Sequence, residues 1–342
     1  MNSDKHVEDF IPKGAASFKI DYDGPPKDFY FLLLPKLTML AFSAAVEPLR
    51  IANQVAKKEL YRWFTMTEDG RPVVCSNFVT ITPDSALKPI PKEAYSFVCS
   101  GIEPAVAASQ KTTNWLNRQR AFGAPVGGIC TGAFALAKAG LLRDRTFTLH
   151  WENQPSFMEY FPQLEPTSNL YENDGDLITC GGGNAATDMM LHLIEADHGR
   201  DLAIVIADMC IHSRSFENTA PQKSAISVVL GCRNQRLIKA IKFMESNLED
   251  PESMLAVAFH VDTSVRQLER LFKQYVQATP NQFYYELRLS RAYALLSETN
   301  MSVSDISVAA GFTSPDQFSK RFKKKYGKSP HEFRKTWGHK HK

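Results

Sequence analysis

The most constraining feature of this sequence is a stretch near its C-terminal end that repeats after fifty residues. Each copy has the pattern of a short apolar helix, a tight turn and a second helix with a basic polar face, which predicts a helix-turn-helix motif. Repeats of this length also occur in helical solenoids, but two copies are too few to enclose a stacked core. The sequence therefore predicts an all-α domain with two helix-turn-helix motifs. The aligned positions are Thr263–Lys273 with Thr313–Lys323, Pro280 with Pro330, and Phe283 with Phe333.

The second copy contains the residue types that such a motif needs. Gly311 can supply a positive-φ turn between the two helices without steric cost. Ser314 can cap the second helix, and Pro315 then falls in its first turn, where a missing N–H is not needed. Three phenylalanines can form the small core of this copy: Phe312, Phe318 and Phe322.

The run from Ile306 to Pro330 resembles the signature of the AraC/XylS family of transcription regulators. This resemblance implies a complete DNA-binding domain over residues 233–337. The first copy departs from the signature in its turns, with Gln277 in place of Gly327 and Val261-Asp262 in place of Gly311-Phe312.

The second helix of each copy is predicted to read DNA, and an amphipathic helix over residues 281–297 is predicted to fix the distance between them. Arginine prefers guanine and glutamine prefers adenine in the major groove, whereas lysines one turn further on suit phosphates. The predicted DNA-binding residues are Ser264, Arg266, Gln267, Arg270 and Lys273 in the first copy, and Ser314, Gln317, Lys320 and Lys323 in the second.

Charge divides unequally along the chain. From Leu230 onward there are 19 lysines and arginines against 11 aspartates and glutamates, whereas the whole chain has 40 against 37. The part before Leu230 is therefore acidic and the part after it basic, as expected for a sensor joined to a DNA binder. The alternative is a solvated helical surface followed by a basic tail, residues 338–342.

Several classes of protein are disfavoured by the sequence. It has no apolar run of eighteen residues and no signal-peptide pattern at its start, so we expect a cytoplasmic location. Its cysteines show no Cys-x-x-Cys pair and no metal-ligand spacing, so we expect reduced thiols, no metal and no cofactor. The six are Cys75, Cys99, Cys130, Cys180, Cys210 and Cys232.

The front part alternates between strand and helix patterns, which indicates an α/β sheet covered on both faces. Residues 1–26 are polar and rich in glycine and proline, and are predicted to be a loose leader. The predicted strands are residues 29–34, 61–67, 78–81 and 95–99, and the predicted helices are 38–56 and 104–120.

At the centre of this part an apolar strand runs through Gly128-Ile-Cys130-Thr-Gly132 directly into a helix. This is the pattern of a nucleophile elbow, and a helix N-terminus behind Cys130 would favour a thiolate or a bound anion. A predicted strand over residues 146–149 delivers His150-Trp151-Glu152 at its end. Another over residues 176–180 opens onto Gly181-Gly182-Gly183, followed by a helix over residues 185–198. Because open α/β sheets bind ligands at such strand ends, we expect one crevice here.

The elbow, the His150-Trp151 pair and the run Thr179–Asp188 resemble the ThiJ/PfpI family, with its class-I glutamine-amidotransferase-like (flavodoxin-like) α/β fold. The implied domain spans residues 27–213, and the resemblance implies an acidic residue near the elbow cysteine, here Glu47. A fusion of this domain to an AraC-type domain resembles the amidase-like, GlxA-type regulators, in particular regulators of glycine betaine, carnitine or arginine catabolism. The predicted ligand-binding residues are Glu47, Gly101, Cys130, Thr131, His150, Trp151, Glu152 and Gly182.

Two other functions are compatible with the front part. One is a cysteine-dependent amidase or hydrolase tethered to DNA, with His150 as base, although no third residue of a triad is evident. The other is an architectural DNA binder that has no ligand. His150 and Trp151 can equally be structural residues, and the apolar helix over residues 202–212 can be a dimer face or ordinary packing.

We therefore predict a transcription regulator without enzymatic activity. A small nitrogenous metabolite, such as an amino acid or a betaine, is the expected effector of the front domain. A linker over residues 214–232 joins it to the domain that binds promoter DNA. The family resemblance implies an activator that works with RNA polymerase, and we expect a homodimer.

Overall fold

The computed structural model describes residues 10–12, 14, 16–212, 222 and 234–339. The chain divides into a front unit that ends at Gln222 and a back unit that follows it. The predicted linker, residues 214–232, lies outside the described residues except for Gln222. Within the described ranges, no helix has the length and apolar character needed to cross a bilayer.

The front unit is built on a seven-stranded sheet in the order β5-β2-β1-β6-β7-β9-β8. Neighbouring strands are parallel except for the antiparallel pair β8 and β9. The strands are β1 Lys27–Leu33, β2 Tyr61–Thr67, β5 Ser85–Ala86, β6 Tyr95–Cys99, β7 Val126–Ile129, β8 Tyr171–Asp174 and β9 Leu177–Cys180. A separate antiparallel pair consists of β3 Val73–Val74 and β4 Thr80–Ile81.

Helices cover both faces of this sheet, as the continuous apolar strands predict. One apolar core lies between the sheet and helices α1, α6 and α7, and another lies on the face covered by α3, α4 and α5. The helices are α1 Met39–Ala56, α2 Pro104–Ala107, α3 Gln110–Ala121, α4 Ala133–Lys138, α5 Gln154–Tyr160, α6 Ala185–His198 and α7 Arg200–Met209. The predicted flavodoxin-like α/β fold is confirmed.

Some predicted elements of the front unit were wrong in detail. The helix expected over 104–120 is two helices, because Ala108 is extended and Ser109 caps α3. Residues 146–149 do not form a sheet strand, and Thr148 makes only a single bridge, to Thr167. The backbone N–H of Thr148 is donated to the hydroxyl of Thr179 on β9 at 2.9 Å. This segment therefore bonds to the sheet through a side chain and not through a backbone ladder.

The described part of the expected loose leader is packed onto the domain. Phe10 is 2% exposed, its ring lies edge-on to that of Trp63, and its carbonyl accepts a hydrogen bond from Asn53. Phe18 donates its backbone N–H to Val55 of α1 at 2.6 Å. The polar composition of this segment therefore gave no sign of the aromatic contacts that hold it.

The back unit is all-α, and the two predicted helix-turn-helix motifs are confirmed. Each motif has its own apolar core, and the long helix α11 contributes Tyr284 to the first and Leu289 to the second. The helices are α8 Gln235–Ser246, α9 Met254–His260, α10 Val265–Tyr275, α11 Pro280–Glu298, α12 Val303–Ala309, α13 Pro315–Tyr326 and α14 Pro330–His339.

Candidate nucleic-acid interface and ligand crevice

The second helix of the first motif, α10, buries one face and exposes a basic one. Leu268 and Phe272 lie in the core of the motif. Arg266, Arg270 and Lys273 are exposed on the other side, at the spacing that places them on one face of a helix. The structure therefore brings these three predicted DNA-binding residues together on one surface.

Gln267, another predicted base reader, takes part in capping α10. The hydroxyl of Ser264 accepts the N–H of Gln267, while the side-chain oxygen of Gln267 accepts the N–H of Ser264 and the hydroxyl of Thr263. This is a capping box. A two-point contact with adenine needs both the oxygen and the nitrogen of a glutamine amide, and here the oxygen is engaged by the cap.

The second helix of the second motif, α13, repeats this arrangement with more positive charge. Ser314 caps it, Pro315 begins it, and Phe318 and Phe322 face the core. The predicted residues on its exposed surface are Gln317, Lys320 and Lys323. The fifty-residue alignment did not single out Arg321, whose guanidinium lies 3.7 Å from the centre of the Tyr285 ring on α11.

The turns of the two motifs are related but differ in length by one residue. Asp262 in the first turn and Gly311 in the second both have positive φ, 49° and 72°, and both donate to the carbonyl three residues earlier. Asp262, rather than Val261, is therefore the counterpart of Gly311. Aspartate tolerates the left-handed conformation better than most residues, so the first turn forms without a glycine.

The second turn is locked to the rest of the back unit. The buried guanidinium of Arg288 donates to the carbonyls of Ala310 at 3.0 Å and of Gly311, and lies 4.2 Å from the centre of the Phe312 ring. A Cβ on Gly311 would overlap the carbonyl of Leu248, in the loop after α8. This contact joins the turn of the second motif to a loop of the first, and Arg288 holds that turn against α11.

In the front unit, Cys130 lies at the elbow between β7 and α4. Its φ is 61°, the strained conformation expected at a nucleophile elbow. Its thiol is 5% exposed and lies 3.6 Å from the hydroxyl of Thr38. Burial is the main influence on this thiol and raises its pKa, outweighing the hydrogen bonds that lower it. The thiolate that a helix N-terminus would favour is therefore opposed by desolvation.

Four other predicted ligand residues lie around Cys130. Thr131 donates its hydroxyl to the carbonyl of Gly101 at 2.8 Å. His150 donates its backbone N–H to the carbonyl of Cys130 at 3.2 Å. Gly182 packs so closely that an added Cβ would lie 2.6 Å from that of Cys130. The structure thus brings these strand ends together, while the crevice that the sequence predicts between them stays a prediction.

The remaining predicted ligand residues differ in their positions. Trp151 and Glu152 are exposed beside His150, and the rings of Trp151 and His150 are 5.6 Å apart. Glu47 is half-exposed on α1, where its carboxylate accepts from Arg50 at 2.7 Å. Thr38, which sequence reasoning missed, provides the side-chain partner of Cys130 that the family resemblance assigned to Glu47.

His150 has a lowered pKa. Burial disfavours its charged form, and this outweighs the raising effects of Glu152 and of a hydrogen bond with Asn153. The imidazole is therefore predominantly neutral near pH 7. Cys130 and His150 are therefore a neutral thiol and a neutral imidazole rather than an ion pair.

A polar socket next to the crevice was also missed. Its described members are Thr148, Leu149, Trp151 and Asn169, and Gln222 fills it. No signal in the sequence joins Gln222 to residues more than fifty positions earlier. No cluster of histidine, cysteine, aspartate or glutamate suited to a metal ion occurs among the described residues.

Two family models match this chain. A model described as a helix-turn-helix domain matches residues 255–336, and the DJ-1/PfpI family model matches residues 44–196. These segments correspond to the two repeated motifs and to the sheet with its elbow.

Curated relatives match over both units. The HTH-type transcriptional regulator CdhR of Pseudomonas aeruginosa is 40% identical over 308 residues, which is 90% of this chain and 91% of that protein. GbdR of the same species is 38% identical over 309 residues, covering 90% and 84%. GlxA of Rhizobium meliloti is 35% identical over 316 residues, covering 90% and 95%.

The front unit also resembles a solved structure. The crystal structure of a ThiJ/PfpI family protein from Pseudomonas syringae matches with a TM-score of 0.50 and 19% identity. The match covers 60% of this chain and 83% of that one. At this identity the likeness concerns the fold alone.

Proposed function

This chain belongs to the HTH-type transcriptional regulators that join a DJ-1/PfpI domain to an AraC-type helix-turn-helix domain, and we propose that its front unit senses a small nitrogenous metabolite. The back unit makes it a DNA-binding regulator of transcription. The observation that carries the effector proposal is the elbow, where four other predicted ligand residues surround a protonated Cys130.

The chemistry of the crevice suits an amino acid or a betaine. Gly182 and Gly183 have positive φ and turn the chain from β9 into α6, so the N-terminal end of a long helix, whose dipole favours negative charge, lies at this edge of the sheet and suits a carboxylate. Trp151 and Glu152, exposed at the same edge, suit a cationic nitrogen by cation–π and charge attraction. Glu47 is left out of this site because Arg50 already neutralises it.

In this proposal Cys130 is a wall of the site and the protein is not an enzyme. Cys130→Ser should preserve effector-dependent promoter activation, whereas Trp151→Ala and Glu152→Ala should weaken it and Glu47→Ala should not. A covalent adduct on Cys130 in mass spectrometry, together with an inactive Cys130→Ser variant, would instead support a cysteine-dependent amidase.

A thermal-shift screen of glycine betaine, carnitine and arginine tests the proposal directly. A ligand present at about a hundred times its Kd should add about 2.7 kcal/mol to the free energy of unfolding. Trp151→Ala should reduce the shift. Absence of any stabilising compound would favour the alternative of a DNA binder without an effector.

For the back unit we propose that the exposed faces of α10 and α13 enter the major groove. Arg270→Ala should cost about 1–3 kcal/mol and relax base preference at one position, because arginine contacts guanine edges. Lys273→Ala and Lys323→Ala should weaken binding to all sequences and reduce the salt dependence, as expected for phosphate contacts.

DNA duplexes that the full-length protein selects from a random-sequence pool would show its base preference at each position and serve as the probe for these variants. Arg266→Ala and Arg270→Ala would be selected in parallel with the parent protein. Unchanged base preference in both variants would exclude α10 as a reading helix.

We further propose that the protein acts as an activator, as a homodimer working with RNA polymerase at its promoter. Helix α7 packs Leu202 and Ile206 into the front core and exposes Ile204 and Met209 on its other side. Leu202 and Ile206 support ordinary packing of this helix against the sheet, whereas Ile204 and Met209 leave a surface on which a second copy can pack. Light scattering of Ile204→Lys against the parent protein would test that surface.

A further inference from the structure

Gln222 makes a set of hydrogen bonds that no other described residue near the end of the front unit approaches. Its side-chain nitrogen shares its two hydrogens among three acceptors, which are the hydroxyl of Thr148 at 2.9 Å and the carbonyls of Leu149 at 3.0 Å and Asn169 at 2.8 Å. Its side-chain oxygen accepts the N–H of Trp151 at 2.9 Å. Its backbone N–H is donated to Ser168 at 2.9 Å.

The surrounding atoms match a primary carboxamide. Three acceptor oxygens converge on the nitrogen, and one backbone N–H faces the oxygen. A carboxylate in the same position would bring negative charge against three oxygens, and an apolar side chain would leave the N–H of Trp151 without its bond. Gly181 completes the fit, because a Cβ there would overlap the side chain of Gln222.

This socket shares its walls with the elbow crevice. Leu149 and Trp151 flank His150, whose backbone N–H is bonded to the carbonyl of Cys130. Gly181, under Gln222, is followed by Gly182, which packs on Cys130. Any rearrangement of residues 149–151 therefore changes both the crevice and the socket.

We propose that this socket is a docking site for Gln222, which ties the start of the connection between the two units to the wall of the crevice. The occupant is the chain's own carboxamide, and the partner surface is formed by Thr148, Leu149, Trp151 and Asn169. The docking holds whether or not the crevice binds the effector proposed above, so the two proposals are tested separately.

Limited trypsin digestion of the full-length protein measures the docking. Lys223 follows Gln222 directly, so cleavage after it requires Gln222 to leave the socket. Because cleavage tracks the population of the open form, Gln222→Glu should raise the rate at Lys223 by about tenfold or more. Gln110→Glu, an exposed glutamine-to-glutamate change on α3, should leave it unchanged.

Two socket variants separate docking from general loosening. Thr148→Val removes one acceptor and should also accelerate cleavage after Lys223, whereas Thr148→Ser retains the hydroxyl and should restore the rate of the parent protein. Equal cleavage rates in the parent, Gln222→Glu and Gln110→Glu proteins would overturn the proposal.

Hydrogen exchange gives a second readout at the socket itself. The N–H of Trp151 should exchange about tenfold faster in Gln222→Ala than in the parent protein, because its acceptor is removed. The N–H of Val126, which is bonded to the carbonyl of Asp176 at 3.0 Å and is not part of the socket, serves as the internal control. An unchanged rate at Trp151 in Gln222→Ala would contradict the docking.

Discussion

At the scale of single residues, burial decides the charge of the titratable groups in the crevice. Cys130 and His150 are both shifted toward their neutral forms, the thiol by a raised pKa and the imidazole by a lowered one. The two shifts have the same physical cause, since the charged form of each group loses hydration in the folded protein. Under the proposed function, a ligand at this site would therefore be held by hydrogen bonds and shape more than by an ionised cysteine.

The shift at His150 predicts how the stability of the front unit depends on pH. The folded state favours neutral His150, so at pH values between its folded pKa and its unfolded value of about 6.5 the unfolded chain binds more protons. The free energy of unfolding should therefore be unaffected well above that value and should fall as the pH drops below it.

Thermal denaturation of the parent protein and of His150→Gln from about pH 7.5 to pH 5.5 measures this contribution. The variant should lose less stability over that range than the parent. His198, whose pKa burial also lowers, remains in both proteins and leaves a common pH dependence. Parallel curves for the two proteins would contradict the predicted shift.

The role of a single residue was predictable from the sequence where it depends on the local backbone. It was not predictable where it depends on a side chain far away in the sequence. The elbow at Cys130 was predicted from its flanking glycines, and the positive φ of Cys130 is the strained conformation of such a turn. The hydroxyl partner of Cys130 is Thr38, 92 positions earlier, and the capping bond of Gln267 competes with base reading. The partner of Cys130 has no signature in the sequence, because it depends on tertiary placement. Ser264-x-x-Gln267 does match the capping-box pattern, but the sequence does not decide whether the amide of Gln267 caps the helix or reads a base.

At the scale of elements, two glycines of the second motif have different surroundings, and the first motif has no glycine at either place. Gly311 has positive φ and also lacks room for a Cβ, whereas Gly327 has positive φ with open space around it. In the first motif Asp262 and Gln277 take up left-handed conformations at the corresponding places. The repeat therefore preserves backbone shape more strictly than residue type.

A matched pair of substitutions separates backbone strain from crowding. Gly327→Ala should cost about 1–2 kcal/mol, the usual penalty for a left-handed non-glycine residue. Gly311→Ala should cost that amount plus about 1–3 kcal/mol, because its Cβ would press on the carbonyl of Leu248. Urea denaturation of the two variants measures the difference, and equal losses would mean that the contact with the loop after α8 is absent.

Elements with a strong periodic pattern were predicted closely, and short irregular ones were not. The predicted strand over residues 61–67 and the helix over residues 185–198 have the observed bounds. Residues 146–149 were predicted as a strand from their apolar alternation, yet Thr148 bonds to the hydroxyl of Thr179 and to loop carbonyls instead. β8 was not predicted, since its sequence Tyr-Glu-Asn-Asp is polar at a sheet edge.

At the scale of the whole molecule, the protein joins an acidic front to a basic back through a connection whose described residue is Gln222. The charge division and the repeat were sufficient to predict two domains and DNA binding. The socket that holds Gln222 was not predictable, because it consists mainly of backbone atoms from three separate segments. In the anchoring proposed above, backbone atoms of the crevice wall hold the connection to the DNA-binding unit.

The contact between Gly311 and the loop after α8, reinforced by Arg288, has a consequence for promoters. This contact restrains α10 and α13 from turning independently. If each helix reads one major groove, as proposed above, the two base sequences that they read (the subsites) should have to lie on the same side of the duplex. Adjacent major grooves recur about every 10–10.5 base pairs, and each inserted base pair would rotate one subsite by about a tenth of a turn relative to the other. Insertions between intact subsites should therefore matter as much to this regulator as changes in the bases it touches.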